Sequence, residues 1–595
     1  MENKERTGQI SIRRGIRFAH HLFIWFSLAF CAPLALGAEP LEPLLIADTA
    51  YPIPSGAIFV ALNGNDSYAG TKAMPLRTVS KAIAIAHSGE TVVIRGGTYR
   101  ESLPEISKRL TIQPWPHEKV WLKGSHVVAG WAARGSLWLK EGWTHAFCAD
   151  CFHPDNIDPA FPNAGLPAQL FIDEMPLTEV SSRSAVKSGT FFIDGAAQRL
   201  FIGSDPSGRT VEATVHGTAL VITGGGAGTV VRGLGFAHYS PVAEPGIGGM
   251  VKGDAKDLTF ENNTFAWSAV KGLSIYKPDA TVRGNAFAFN GMMGLEAWQA
   301  TGLIVTGNRF AFNNCERFVQ SGPVSEAAGA KITVTRDLVI TDNRFENNFA
   351  NGLWLDINVS DATVTRNIVE GNLRHGIFYE ISANAIVASN IAVDNGVSGI
   401  ALADASGVKV YNNTLVGNSI AFSVQDDSRV NDDKEEVRRG NSWVSAGNIF
   451  SNNLVVADGE KDALLIWARD FTGKLDADDM IAGLDFNGYW RADAARQPHL
   501  VEWWRRDHRT VHDTFTSYRS TTGKDRNSIV IDGEASDPFF ADAASGNFAL
   551  KPNSRARAAG HELPSDVALT IGVGEGDAPD LGALLGPGGF LVTPR

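Results

Sequence analysis

Short phrases in which apolar and polar residues alternate recur along the chain from about residue 258. Each phrase is anchored by an asparagine, and most neighbouring anchors lie 22–24 residues apart. The anchors are Asn263, Asn285, Asn308, Asn343, Asn367, Asn390, Asn413 and Asn453. Two longer spacings indicate insertions, near 316–331 and near 425–442. This period, without a regular leucine lattice, predicts a right-handed parallel β-helix with asparagine side chains hydrogen-bonded from turn to turn.

The segments around these repeats complete the predicted all-β architecture. Residues 55–114 contain a strand, a turn, an amphipathic helix (78–87) and a further strand, which predicts an N-terminal cap and the first coils. Residues 115–217, rich in Trp and Gly, interrupt the rhythm and are predicted to form an inserted β-sandwich-like domain. Coils resume over 218–455, and 456–595 are predicted to form the last coils and a C-terminal cap.

The N-terminal residues 1–38 have the pattern of an export signal, in which three arginines precede an apolar run over 22–36 and small residues offer a cleavage site. No other apolar segment is long enough to span a bilayer. The mature protein is therefore expected to be secreted or periplasmic, without a membrane partner.

The net negative charge of the chain indicates which kinds of partner its surface can bind. The formal net charge of −12 becomes −15 after signal removal, since that segment carries five basic and two acidic residues. An acidic surface repels nucleic acid and anionic membranes, so a neutral partner is expected and nucleic acid is not. The sequence does not set the oligomeric state.

The two cysteines of the phrase Cys148-Ala-Asp-Cys151 allow three interpretations. In an oxidising compartment they can form a short disulfide. Together with His145 and His153 they can instead hold zinc, although the spacing matches no standard zinc signature. Two free thiols in a loop are the third interpretation.

Two acidic residues occupy the same place in consecutive repeats, because Asp356 and Glu380 are 24 residues apart, as are their anchors. Counted from the anchor, positions +10 and +12 are apolar, so +11 and +13 are expected on the outer face of a strand. Strands about 4.8 Å apart would place the two carboxyl groups roughly 5 Å from each other. That spacing is typical of retaining glycosidases, and like charges this close raise the pKa of one member.

Further residues at or beside the same outer positions are expected to bind substrate. Aromatic faces between hydrogen-bonding groups suit a sugar chain, whose rings stack and whose hydroxyls need partners. The predicted substrate-binding residues are Tyr276, Glu296, Trp298, Trp354, His375 and Phe378. No Lys or Arg was found at the +11 and +13 positions of this predicted stripe.

The phrases NGLWLD and HGIFYEIS, with an insertion early in a β-helix, resemble the β-xylosidases of glycoside hydrolase family 120. The resemblance is tight only over 351–382. It implies that Asp356 is the nucleophile, that Glu380 is the general acid/base and that no cofactor is needed. The N-terminal segment also resembles that of many β-helix proteins that act on polysaccharides.

Two alternatives remain open at this point. A polysaccharide lyase or epimerase acting on a uronic-acid polymer would use a basic residue, and the paired acids would then be candidates to hold calcium. A non-catalytic carbohydrate-binding protein would need neither acid. The charged insertion at 425–440 either lines the site or forms a solvated loop.

Overall fold

The computed structural model describes residues 46–148, 151–242, 248–320, 325–457, 463–574 and 576–583. The predicted signal peptide lies outside the described residues. Three long sheets form the main body of the described chain. Strands before residue 125 belong to sheets 1 and 2, and from Leu220 to Arg505 successive strands visit sheet 3, sheet 1 and sheet 2 in turn. Apart from one antiparallel pair at the end of sheet 3, the neighbours in these sheets are parallel.

The strands of the three sheets have the following bounds. Sheet 1 contains Ile58–Val60, Thr91–Ile94, Thr111–Pro114, Val230–Arg232, Thr259–Glu261, Thr281–Arg283, Ile304–Thr306, Val339–Thr341, Ser360–Thr365, Ala383–Ala388, Ser406–Tyr411, Asn448–Ser451 and Ile481–Asp485. Sheet 2 contains Gly97–Tyr99, Val120–Lys123, Gly235–Ala237, Thr264–Ala266, Ala286–Ala288, Arg309–Ala311, Arg344–Glu346, Ile368–Glu370, Ile391–Val393, Thr414–Val416, Leu454–Ala457, Gly488–Arg491 and Ile529–Asp532. Sheet 3 contains Leu220–Ile222, Gly249–Gly253, Lys271–Ile275, Met293–Trp298, Ala328–Thr333, Asn351–Asp356, Ile377–Glu380, Ser398–Ala403, Ile420–Asp426, Leu464–Asp470, Val501–Arg505 and His508–His512.

Helices are few and short. The α-helices are Val79–Ile85, Lys434–Arg438, Ala477–Met480, Phe515–Thr522 and Ser565–Ile571. Single 3₁₀ turns lie at Pro154–Asn156, Pro162–Gly165, Arg183–Ala185, Gly224–Gly226 and Ala543–Ser545. The first helix was predicted over 78–87, and in the structure Thr78 caps its N-terminus by accepting a hydrogen bond from the Lys81 backbone N–H.

The predicted asparagine ladder is confirmed. Each Nδ2 donates to the Oδ1 of the next anchor at about 3 Å, from Asn263 through to Asn453. The ladder continues one step further to Asn487. A second ladder, not noticed in the sequence, joins Asn290, Asn313, Asn348, Asn372, Asn395 and Asn418. Both ladders satisfy amide groups that the turns bury.

The inserted segment forms an eight-stranded, mainly antiparallel sheet with its own apolar core. Its strands are Ser125–Val127, Ala132–Arg134, Leu137–Glu141, Leu170–Ile172, Met175–Glu179, Thr190–Asp194, Arg199–Ile202 and Val211–Thr214. The predicted start at residue 115 is too early, because Val120–Lys123 still pairs with neighbouring strands of sheet 2. Phe540–Asp542 and Asn547–Leu550 form a small C-terminal hairpin.

Candidate functional site

The outer face of sheet 3 carries two rows of side chains, because alternate residues of a strand point away from the core. The first row contains Ser274, Glu296, Lys331, Trp354, Phe378, Ala401, Ser423, Trp467 and Glu502. The second row contains Trp298, Thr333, Asp356, Glu380, Ala403, Gln425 and Arg469. The rows place the two predicted acids on adjacent strands.

One strand of this face differs from the sequence prediction. Counted from Asn308, positions +11 and +13 are Val319 and Ser321, which the sequence pattern assigns to the outer stripe; Ser321 lies outside the described residues. The insertion precedes the strand, however, and the strand itself is Ala328–Thr333. Its outward residues are Lys331 and Thr333. The prediction that no basic residue lies in the stripe was therefore wrong.

Asp356 and Glu380 are buried, with 4% and 8% of their surfaces exposed, whereas outer-face acids usually face solvent. Each acid contacts a cation. Lys331 Nζ lies 3.0 Å from Asp356 Oδ2, and Arg429 Nη1 lies 2.6 Å from Glu380 Oε1. Burial and the neighbouring Asp356 carboxylate raise the pKa of Glu380, and Arg429 opposes this shift.

The turns after the two acids have an unusual backbone. Ile357 has φ 47° and Ile381 has φ 38°, a left-handed conformation that β-branched residues rarely adopt. The single hydroxyl proton of the buried Tyr379 is shared between the carbonyl groups of Val359 and Ala383, at 3.0 and 2.7 Å. These bonds from the core hold both turns, and with them the strand ends that carry the acids.

Trp354 orients Glu380. Its indole Nε1 donates a 2.9 Å hydrogen bond to Glu380 Oε2, and its ring lies under Lys331 Nζ, 3.6 Å from the ring centroid. Trp354 and Phe378 stack on each other with centroids 5.7 Å apart and are largely buried. Trp354 thus contacts both acid–cation pairs, a role that its outward position in the sequence pattern did not reveal.

Arg429 comes from the charged insertion, which therefore lines the site. Its guanidinium contacts Glu380, Asp404 and Asp427. Asp404 is fully buried and follows its strand by one residue, at the turn position of Ile381. Asp404 lies at +14 from Asn390, outside the +11 and +13 positions of the predicted stripe, and Arg429 lies in an insertion, which has no repeat register.

The electrostatic balance of this cluster favours a retained proton. Four carboxyl groups, those of Asp356, Glu380, Asp404 and Asp427, share the cations Lys331 and Arg429. Burial raises the pKa of Asp404 to about 7, although Arg429 lowers it. Protons in such a coupled group belong to the group as a whole, and the raised pKa values of Glu380 and Asp404 favour protonation within it.

The inserted loop is fixed by polar contacts to the turn beyond Asp356. Asn358 Oδ1 accepts hydrogen bonds from Asn431, Asn441 and Trp443, at 2.9, 3.1 and 2.9 Å. An ion pair between Arg336 and Glu436 adds a second attachment. The loop that supplies Arg429 is therefore attached to the coils that carry the acids.

The other residues predicted in the outer stripe differ in how far their side chains are free to contact a ligand. Glu296 is fully engaged, because Lys271, Ser274 and Tyr276 all donate to its carboxylate at 2.6–2.9 Å. Trp298 is 44% exposed and lies two strands from Asp356 in the second row. Trp298 is thus the predicted aromatic residue best placed to contact a ligand.

His375 lies beside the pair, with its ring 4.6 Å from that of Phe378. Its Nδ1 is buried, and no described residue provides a hydrogen bond to it. Burial and the nearby Arg374 lower the pKa of His375. A neutral imidazole with a free nitrogen is suited to a ligand hydroxyl, so the predicted binding role of His375 stays a prediction.

One group of metal-type ligands lies away from the acids, at the junction of the inserted sheet and the helix. It comprises Glu174, Glu212 and His238. Lys123 Nζ is 2.6 Å from Glu174 and 3.3 Å from Glu212, and Arg100 also contacts Glu212. The carboxylates are thus already neutralised by cations, and a metal ion would have to displace an ammonium group.

The structure joins Cys148 and Cys151 in a disulfide, which removes the thiolates that the zinc interpretation required. Phe152, next to this disulfide, packs with Phe318 and with Ala350, which immediately precedes the strand of Asp356. The loop of the inserted segment thus packs against the start of the strand whose last residue is Asp356. No helix among the described residues is long and apolar enough to cross a membrane.

Comparison with known proteins gives the following likenesses. A family model described as a right-handed beta helix region matches residues 246–415, and a model for a protein of unknown function matches residues 62–108. The uncharacterized protein YwoF of Bacillus subtilis (strain 168) is 24% identical over 517 residues, which cover 84% of this chain and 92% of YwoF.

Among solved structures, the complex of XylC with xylose has a TM-score of 0.59 at 17% identity, and the alignment covers 82% of this chain and 87% of XylC. Pectate lyase Pel9A has a TM-score of 0.32 at 13% identity, covering 89% of this chain and 97% of that protein. At these identities a structural likeness concerns the fold. The chain therefore has a right-handed parallel β-helix fold, as its asparagine-anchored repeats predicted.

Proposed function

We propose that this protein is a glycoside hydrolase that cleaves glycosidic bonds with retention, with Asp356 as nucleophile and Glu380 as general acid/base. The observation that carries the proposal is the pair itself, two buried carboxyl groups on adjacent strands of one outer face. XylC, bound to xylose in its solved complex, shares the fold, and this likeness supports a carbohydrate as the substrate class.

The contacts of the two acids fit different roles. Lys331, 3.0 Å from Asp356, stabilises the ionised carboxylate that attacks an anomeric carbon. Burial and the charge of Asp356 raise the pKa of Glu380, which favours the protonated form that a leaving-group oxygen requires. Trp354 holds Oε2 of Glu380, so the acid cannot rotate freely.

In the proposed cycle, Asp356 attacks the anomeric carbon while Glu380 gives its proton to the departing oxygen. Glu380, now ionised beside Arg429, then takes a proton from water, and that water releases the sugar from Asp356. Charge on Glu380 changes twice, and Arg429 stabilises its ionised state in the middle of the cycle.

The test is a panel of aryl glycosides assayed with the wild type, Glu380→Gln and the control Glu435→Gln, which changes an exposed glutamate of the insertion. We expect a product that first appears with retained anomeric configuration, by nuclear magnetic resonance, and a loss of at least about a thousandfold in Glu380→Gln alone. The mechanism is refuted if no glycoside yields a retained product that depends on Glu380.

A second candidate, a polysaccharide lyase or epimerase, is favoured by the presence of Lys331 in the stripe. A basic residue in the outer stripe is what such an enzyme requires, and Lys331 lies there beside Trp354. Lys331 and Arg429 also neutralise the two carboxylates that a calcium ion would use. Ultraviolet absorbance of an unsaturated product from a uronic-acid polymer would support the lyase and exclude the hydrolase.

A further inference from the structure

A cluster of aromatic and charged residues lies on the outer face of sheet 3, beyond the acid pair. Arg469 is in the second row, three strands from Glu380, because Glu380 pairs with Ala403, Ala403 with Gln425 and Gln425 with Arg469. At about 4.8 Å per strand the separation is roughly 14 Å. Arg469 therefore lies on the same face as the acids but outside their contact distance.

The guanidinium of Arg469 contacts two aromatic rings. Its Cζ is 4.3 Å from the ring centroid of Phe471 and 4.1 Å from that of Trp504. Trp467 lies beside them, with its ring 5.9 Å from Phe471, which is 49% exposed. These four residues, Trp467, Arg469, Phe471 and Trp504, are called the distal platform below.

Arg469 has no acidic partner within the part of the chain that the structure describes. Its Nε is buried without a hydrogen-bond partner, and its other nitrogens form no ion pair there. The neighbouring carboxylate of Glu502 is taken by other donors, since Trp467, Trp504 and Arg509 contact it at 3.0, 2.6 and 2.7 Å. The rings of Phe471 and Trp504 thus hold Arg469 in place, and its guanidinium N–H groups stay available for a hydrogen-bond acceptor.

A half-buried guanidinium without a hydrogen-bond acceptor has lost hydration free energy that a ligand oxygen can restore. The planar fork of arginine matches a carboxylate in particular, and aromatic rings beside it suit the apolar faces of a sugar. In the surrounding hairpin Arg505 and Arg509 are already paired with Asp478 and Glu502, so Arg469 itself is the group that would select a carboxylate. The expected ligand combines a sugar ring with a carboxylate.

We propose that the distal platform binds a uronic-acid residue of the sugar chain whose glycosidic bond lies at Asp356 and Glu380. The substrate class is then an acidic oligosaccharide, long enough to reach across three strands. This inference rests on the proposed function in one respect, because it assumes that one sugar chain binds both at the acid pair and at the distal platform.

The test measures binding and hydrolysis separately. Binding of a neutral β-1,4-xylo-oligosaccharide and of the same oligosaccharide with a glucuronic acid branch is measured by calorimetry, in the Glu380→Gln protein to prevent turnover. We expect the acidic ligand to bind about tenfold more tightly or better, the size of one charge-assisted hydrogen-bonded pair. Arg469→Gln added to this protein should remove that preference.

Arg496→Gln serves as the control, because Arg496 is an arginine between the same two strands of sheet 3 and outside the distal platform. Hydrolysis of small aryl glycosides by Arg469→Gln, with Glu380 intact, should equal that of the wild type, since such substrates do not reach the platform. Equal affinity for both oligosaccharides, or a preference that survives Arg469→Gln, overturns the inference. If the wild type hydrolyses no glycoside, yet the acidic preference is present and Arg469→Gln removes it, only the proposed function is contradicted.

Discussion

The indole Nε1 of Trp354 donates a 2.9 Å hydrogen bond to Oε2 of Glu380, while Arg429 binds Oε1 of the same carboxyl group. Both oxygens of Glu380 are therefore held by protein donors, one neutral and one charged. Because the two donors come from different parts of the chain, a sheet strand and an insertion, their contributions can be separated by mutation.

Trp354→Phe removes the neutral donor and keeps most of the ring. We expect kcat on aryl glycosides to fall about tenfold or more, since the acid is then free to rotate, while thermal stability changes little. Steady-state kinetics with Trp138→Phe as control tests this, because Trp138 lies in a strand of the inserted sheet and donates to neither acid. Unchanged kcat in Trp354→Phe would rule out the positioning role.

Arg429→Gln removes the charged donor and should move the pH profile of kcat/KM. Arg429 lowers the pKa of Glu380, so its removal raises that pKa further. Glu380 then stays protonated to higher pH, and the alkaline limb should shift upward by about one pH unit. Arg438→Gln, an exposed change in the same insertion, should leave the profile in place. A downward shift in Arg429→Gln would contradict the assignment of Glu380 as the acid.

Glu316→Gln should stabilise the protein at high pH. Burial raises the pKa of Glu316 from 4.5 to about 7, so the folded state binds a proton that the unfolded state releases above about pH 4.5. The wild type therefore loses stability as pH rises from about 4.5 to 7, and the glutamine variant avoids this loss. We expect equal stability near pH 4 and an advantage of about 3 kcal/mol for the variant at pH 8.

Urea denaturation of wild type and Glu316→Gln at the two pH values measures this difference. The control is Glu562→Gln, which changes an exposed glutamate and should shift neither midpoint. An advantage of the Glu316→Gln protein that is the same at both pH values would contradict a titration effect.

Asn367→Leu tests the first asparagine ladder. Asn367 donates to Ile340 and Asn390 and accepts twice from Asn343, all at about 3.0 Å. Leucine fills the same space but leaves these buried partners without hydrogen bonds, so we expect a loss of about 3–6 kcal/mol. The midpoint of thermal unfolding measures it, with the exposed Asn547→Leu as control. Equal midpoints in the two variants would refute a stabilising ladder.

The repeats made the fold predictable because a β-helix repeats its geometry along with its sequence. Asparagine spacing located the coils, and alternation located the outer face that carries Asp356 and Glu380. The inference worked wherever one coil followed another without interruption. The predicted separation of the two carboxyl groups stays a prediction.

Insertions account for most of what the sequence did not reveal. Lys331 was missed because the insertion before its strand changed the offset from the anchor. Arg429 reaches Glu380 from a loop whose course depends on tertiary contacts such as those of Asn358. Asp404 was missed because it lies in a turn, where strand alternation does not apply. Burial of the acids likewise depends on these covering segments rather than on periodicity.

The asparagine ladders also set a unit of length on the outer face. The same hydrogen bond between asparagine side chains joins each coil to the next, so any two outward residues in one row are separated by a whole number of strand steps. Removing or adding one complete coil between Glu380 and Arg469 would change their separation by a single step and leave the cross-section intact. If one sugar chain binds at both Glu380 and Arg469, the number of coils between these residues sets the length that the sugar chain must have.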